Sequence, residues 1–155
     1  MMKKFFEITI TIIILLTAKP GIASQPIVTG QLDGVELCAQ FQCGVAVFVG
    51  RFNGQLNNQW AKGGFLVFIN HDSLPQAGQV ANVTGGEWSL RGDLHLLQGN
   101  ILAGTLLNNG DNTFTVTVVL QVSDGGSGEI VFTGALNHRD FPPTIIGNLT
   151  QPMAR

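Results

Sequence analysis

The sequence predicts an all-β protein: a small antiparallel β-barrel of about eight strands joined up-and-down, with a β-sandwich as the alternative. Three observations lead there. Apolar residues alternate with period two over most of the chain after Pro26, and no segment there keeps a sustained helical apolar period. Turn clusters rich in Gly and Asn separate the alternating runs at short intervals. Glycines also fall inside the runs, at Gly50, Gly54, Gly104, Gly134 and Gly147, where they suit the sharp coiling of a barrel wall.

Taken in order, Ile27 to Leu32 reads as the first strand. Val45 to Leu56 and Trp60 to Asn70 flank the turn phrase "NGQLNNQ". Asp72 to Val83 contains Pro75 and Gly78 and reads as the longest loop. Gly86 to Arg91 makes a short strand around Trp88, and Leu94 to Asn108 a long one that Gly99 or Gly104 bends. "NNGDN" is a turn. "NTFTVTVVLQVS" then puts Phe114, Val116, Val118, Leu120 and Val122 on one face, with Thr115 and Thr117 on the other. After the turn "DGGSG", Ile130, Phe132, Gly134, Leu136 and His138 share a face of the next strand. These two segments form the most strongly specified hairpin. "PTIIGNLT" is the last strand, opened by Pro143 where no ladder donor is needed. A phrase x-Gly-x-Leu-Asx recurs at irregular intervals, which excludes a solenoid. Trp60 and Trp88 are assigned to the core, with carbohydrate-stacking platforms as the alternative.

Cys38 and Cys43 are the only cysteines. Along one straight strand they would lie about 16 Å apart, whereas a disulfide needs Cα atoms within about 7 Å. If they pair, "CAQFQC" must fold into a turn or tight bulge. Their spacing is not that of a redox dithiol or a zinc knuckle, so a structural disulfide is the expected state.

The N-terminus, "MMKKFFEITITIIILLTAKPGIAS", has a basic start, an apolar middle and small residues before a cut after Ala23. This is the layout of a secretory signal peptide. Residues 1–23 are therefore read as a leader and residues 24–155 as a single all-β domain, exported to a secreted or periplasmic location. Beyond Ala23 there remain one Lys, four Arg, six Asp and three Glu. Without a basic tract the chain has nothing to neutralise phosphates, so no nucleic-acid partner is expected. Nor is there a basic amphipathic segment to hold it on a membrane after processing. A transmembrane barrel would need aromatic girdles, and the sequence has no Tyr.

The chemistry-bearing residues are sparse. "GGSG" around Ser127 lacks the strand-elbow-helix context of a serine nucleophile. Asp93 and His95 could share a strand face, joined by His71 with Asp72 or His138 with Asp140, but the set has no fixed ligand spacing. No metal and no cofactor is expected. Most carboxylates stand in turn contexts (Asp33, Asp72, Asp111, Asp124 and Asp140), leaving Glu87, Asp93 and Glu129 for strand faces. A glycosidase would need two of them to meet across a cleft.

Two phrases repeat one order: "INHDSLPQ" from Ile69 and "LNHRDFPP" from Leu136. Asn and Asp stop strands by bonding the local backbone, and Pro stiffens the exit. Strand punctuation is the preferred reading. The alternative places His71, Asp72, His138, Arg139 and Asp140 together as a polar, ligand-binding rim at one mouth of the barrel. The strand rhythm resembles that of small secreted calycin-like or allene-oxide-cyclase-like barrels; the likeness covers no diagnostic motif and transfers no residue. The resulting expectation is an exported, non-catalytic barrel that either binds a small apolar ligand or a glycan or serves as an extracellular structural or interaction protein. Its alternative is a barrel-mouth hydrolase or isomerase using His, Asp and Glu.

Overall fold

A computed structural model describes residues 27–93 and 96–152. The expected leader and His95 lie outside the described residues. The elements are β1 (Val28–Cys38), α1 (Gln40–Cys43), β2 (Ala46–Leu56), β3 (Gln59–His71), β4 (Val80–Gly92), β5 (Leu96–Asn108), β6 (Thr113–Asp124), β7 (Gly128–Asn137) and β8 (Thr144–Thr150). Each strand pairs with the next, and β8 pairs with β1, so the sheet closes as an eight-stranded antiparallel up-and-down barrel.

The strongest hairpin forms as its alternation requires. Val116 lies opposite Gly134, Val118 opposite Phe132, and Leu120 opposite Ile130. Phe114, Val116, Val118, Leu120, Val122, Ile130, Phe132 and Leu136 are all buried in one interior core. Thr115 and Thr133 face outward and are exposed. A slip of one residue would exchange these two sets, so the register is fixed by burial.

Glycines in the wall make room for phenylalanine rings. Gly34 and Gly50 are partners across β1 and β2. A Cβ built on Gly50 would lie 2.6 Å from the Phe65 ring, and one on Gly34 would lie 2.7 Å from it. Gly134 and Gly147 are likewise partners. A Cβ there would meet the Phe132 ring at 2.6 and 2.5 Å. The rings thus cross the interior over bare backbone, a packing reason for mid-strand glycine beside the coiling expected from sequence.

The two ends of the barrel differ. At one end the links are tight: Asn57 and Asn58, both with positive φ, make the two-residue turn between β2 and β3. Here the interior is filled. Val28, Phe52, Leu56, Leu90 and Ile130 are the largest fully buried side chains. The other end carries the longer links: residues 39–45 with α1, 72–79, 109–112 and 138–143.

Several boundaries differ from the sequence reading. β1 runs on to Cys38, which puts Asp33 on the outer face of a strand rather than in a turn. β4 has 13 residues, not a short core around Trp88. "TGGE" does not interrupt it, because the wall absorbs the glycines as an irregularity in the β3–β4 register beside Asn70. Trp88 is 4% exposed, and its Nε1 donates to the Gln121 carbonyl at 3.1 Å. Trp60 is 77% exposed and does not belong to the core. Its neighbours Ala61 and Phe65 fix the inward parity of β3, which turns Trp60 out.

Candidate functional site: a cavity at the open end of the barrel

The cysteine pair shapes the open end. Cys38 and Cys43 form a disulfide with Cα atoms 6.1 Å apart. The chain reverses through the single helical turn α1. It is stopped at Gly44, whose φ of 77° is left-handed and whose N–H donates to the Gln40 carbonyl at 2.7 Å. Gln40 then reaches across to β3: its Nε2 donates to the His71 carbonyl at 3.0 Å, and its Oε1 accepts from the His71 N–H at 2.8 Å. The side-chain amide completes the strand end as another backbone would.

Beneath this loop layer lies a cavity of about 490 Å3. Its wall is mostly apolar, built from inward residues such as Phe48, Ile69, Val83, Leu106, Phe114 and Leu136. Glu36, Gln40, His71, Asp72, Ser73 and His138 supply its polar side chains.

Glu36 follows the inward parity of Val28 and Leu32, so its carboxyl enters the interior, and the residue is only 6% exposed. Its Oε2 lies 2.8 Å from His138 Nε2. Nε2 itself is buried, and its approach to the carboxylate combines charge attraction with an imperfectly aligned hydrogen bond. Burial pushes the Glu36 carboxyl above its ordinary range, and the neighbouring His138 and His71 only partly oppose that. The His138 ring also packs on Phe114, with centroids 5.1 Å apart.

The two Asn-His phrases end strands, and their histidines stand in the cavity wall. Asn and Asp organise the backbone. Asn137 Oδ1 accepts from the Arg139 N–H at 3.0 Å, and Asn137 Nδ2 donates to Asp140 Oδ2 at 2.9 Å. Asp140 also accepts from the Thr144 hydroxyl at 2.6 Å. Asp72 Oδ2 accepts from Asn82 Nδ2 at 3.1 Å. The histidines and Asp72 line the cavity instead. Arg139 is drawn away to the β5–β6 link, where it forms an ion pair with Asp111 and donates from Nε to the Asp111 carbonyl at 2.7 Å. The Thr113 hydroxyl, and after it the Arg139 charge, hold the Asp111 carboxyl below its usual range. Of the expected rim, His71, Asp72 and His138 line the cavity, while Arg139 and Asp140 brace its loops.

Sequence reading missed Glu36. It ended the first strand at Leu32, and "VELC" inverts the usual alternation by turning Glu inward and Leu37 outward. The available signal was parity alone: 28, 32 and 36 share a face. Of the acids assigned to strand faces, Glu87 and Glu129 stand exposed outside the cavity, and Asp93 falls in an exposed bend beyond the end of β4 rather than on a strand. Among the described residues, no three His, Cys, Asp or Glu side chains are grouped to hold a metal ion. No described helix is long and apolar enough to cross a membrane. Comparison with protein-family models, curated proteins and solved structures finds no match, so the site is read from its own geometry.

Proposed function

We propose that this chain is an exported protein that binds a small, largely apolar molecule in the open end of its barrel. The cavity is the observation that carries this reading. Its volume of about 490 Å3 falls within the roughly 300–1,000 Å3 usual for small-molecule sites. Its wall is hydrocarbon and aromatic, which favours an apolar body over a glycan. The barrel keeps this space beside a far end where Val28, Phe52, Leu56, Leu90 and Ile130 are fully buried. The Cys38–Cys43 bridge supports an oxidising, extracytoplasmic location, as does the leader-like N-terminus.

The test is a titration with N-phenyl-1-naphthylamine, an uncharged probe that fluoresces when it leaves water. The wild-type protein should bind one equivalent saturably. Ala46→Phe should abolish binding, because Ala46 lines the cavity and a ring there fills it. Circular dichroism should show the barrel intact in that variant. Absence of saturable binding to the wild type, or full binding to a folded A46F protein, would remove this reading.

A further inference from the structure

We propose that the same cavity is catalytic, with Glu36 moving a proton between two carbons of an apolar carbonyl compound and His138 donating to its oxygen. The proposal rests on the reading that the cavity binds a small molecule, and it adds a reaction to that binding.

Three observations support it. First, the Glu36 carboxyl is buried in an apolar chamber, where an ionised group is costly. The loops of the open end are organised by Gln40, Asn137, Asp111 and Asp140, and the Glu36 carboxyl faces the cavity instead. Second, His138 Nε2 is buried beside it, 2.8 Å from Glu36 Oε2, so carboxyl and imidazole form one pair at the cavity wall. A carbonyl oxygen that draws Nε2 from the carboxylate would take over its proton as a hydrogen bond. Third, the His138 side chain is still 27% exposed, so the pair can exchange protons with solvent. Burial also raises the proton affinity of Glu36, which makes its carboxylate a stronger base than one in water.

The step balances without a co-reactant. The Glu36 carboxylate takes a proton from the carbon between a carbonyl and a C=C bond. The C–H bond breaks, a carboxyl O–H forms, and the electron pair passes to the carbonyl oxygen as a dienolate. His138 Nε2–H stabilises that oxygen. Glu36 returns its proton to the far end of the dienolate, the double bond moves into conjugation, and the carboxylate is restored. The groups that face Glu36 are His138, beyond the end of β7, and His71 at the end of β3; Asp72, the residue after His71, also lines the cavity.

The experiment offers the full exported chain a β,γ-unsaturated cyclohexenone and follows the absorbance of the conjugated isomer. Wild type should convert it above the buffer rate. Glu36→Gln should lower kcat by about 10²–10⁴-fold, the usual contribution of general acid–base catalysis. The rate should rise with pH as Glu36 loses its proton, with a midpoint above the ordinary carboxylate range. Circular dichroism and a probe titration of the E36Q protein itself establish that it is folded with an open cavity. Conversion no faster than buffer, or an E36Q rate equal to wild type, would overturn the catalytic proposal while probe binding to wild type leaves the binding reading standing. A wild type that fails to bind the probe would remove both.

Discussion

The closed end and the open end of this barrel are built from the same strands by different physics. At the closed end, two-residue and other tight links bring strand ends together and side chains fill the interior. Phe52, Leu56, Leu90 and Ile130 leave almost no surface to water. At the open end, order comes from directed bonds between loops: a disulfide, the Gln40 amide on His71, and the Asp111–Arg139 pair. Loops held by polar bonds can stand around a chamber, whereas packing eliminates one. Burial therefore stabilises one end, and the hydrogen-bonded collar of the other leaves a chamber open.

The largest expected effect tests whether stability is concentrated at the closed end. Phe52→Ala should cost about 3–5 kcal/mol in urea denaturation, as for a large ring removed from a tight core. Leu136→Ala, on the cavity wall, should fall near the low end for its type, about 2 kcal/mol, because the space it leaves joins an existing cavity. Equal losses would mean that the cavity wall is as tightly constrained as the filled end.

Next comes the wall itself. A Cβ on Gly50 would lie 2.3 Å from the Asp33 carbonyl oxygen as well as against Phe65. Gly50→Ala should destabilise by about 3 kcal/mol through overpacking. A thermal melt that leaves Tm unchanged would show that Phe65 is free to move off its glycine shelf.

The disulfide sharpens the comparison. Cys38→Ser with Cys43→Ser should cost about 2 kcal/mol, since the closed loop is short. The loss should be local: hydrogen exchange at the His71 amide, held by Gln40 Oε1, should accelerate more than exchange at Phe52. Equal acceleration at both would show that the two ends unfold together.

The smallest effect has the opposite sign. Burial raises the Glu36 pKa in the folded state. Its neutral form is thus favoured by folding. Below the unfolded carboxylate range both states are protonated and nothing is lost; as pH rises toward and through the folded pKa, stability falls. Glu36→Gln should therefore raise Tm near pH 7.5, and the gain should fade as the pH is lowered to about 4. A Tm gain that is the same at both pH values would locate the benefit in packing rather than in charge.

How much was legible in the sequence follows the same division. The β6–β7 hairpin was readable because strict alternation records burial on one face. The cysteine bridge was readable because covalent geometry forbids a straight strand between Cys38 and Cys43. Trp60 was misread because hydrophobicity does not carry parity: its face is set by Ala61 and Phe65 beside it. The cavity was only partly legible. The paired Asn-His phrases marked His71 and His138, yet strand-stopping chemistry accounts for the same residue types. Glu36 was not visible because an inward acid breaks the pattern that sequence reading uses to find strands. The same irregularity that hid Glu36 makes it a candidate for function.

One further consequence follows from the path of the chain. β1 begins and β8 finishes at the closed end, where the Gln151 amide donates to the Val28 carbonyl at 3.3 Å. Both described ends of the chain therefore lie on the side away from the cavity. A tag or partner fused there is the arrangement that leaves the opening between residues 39–45, 72–79, 109–112 and 138–143 clear of the junction.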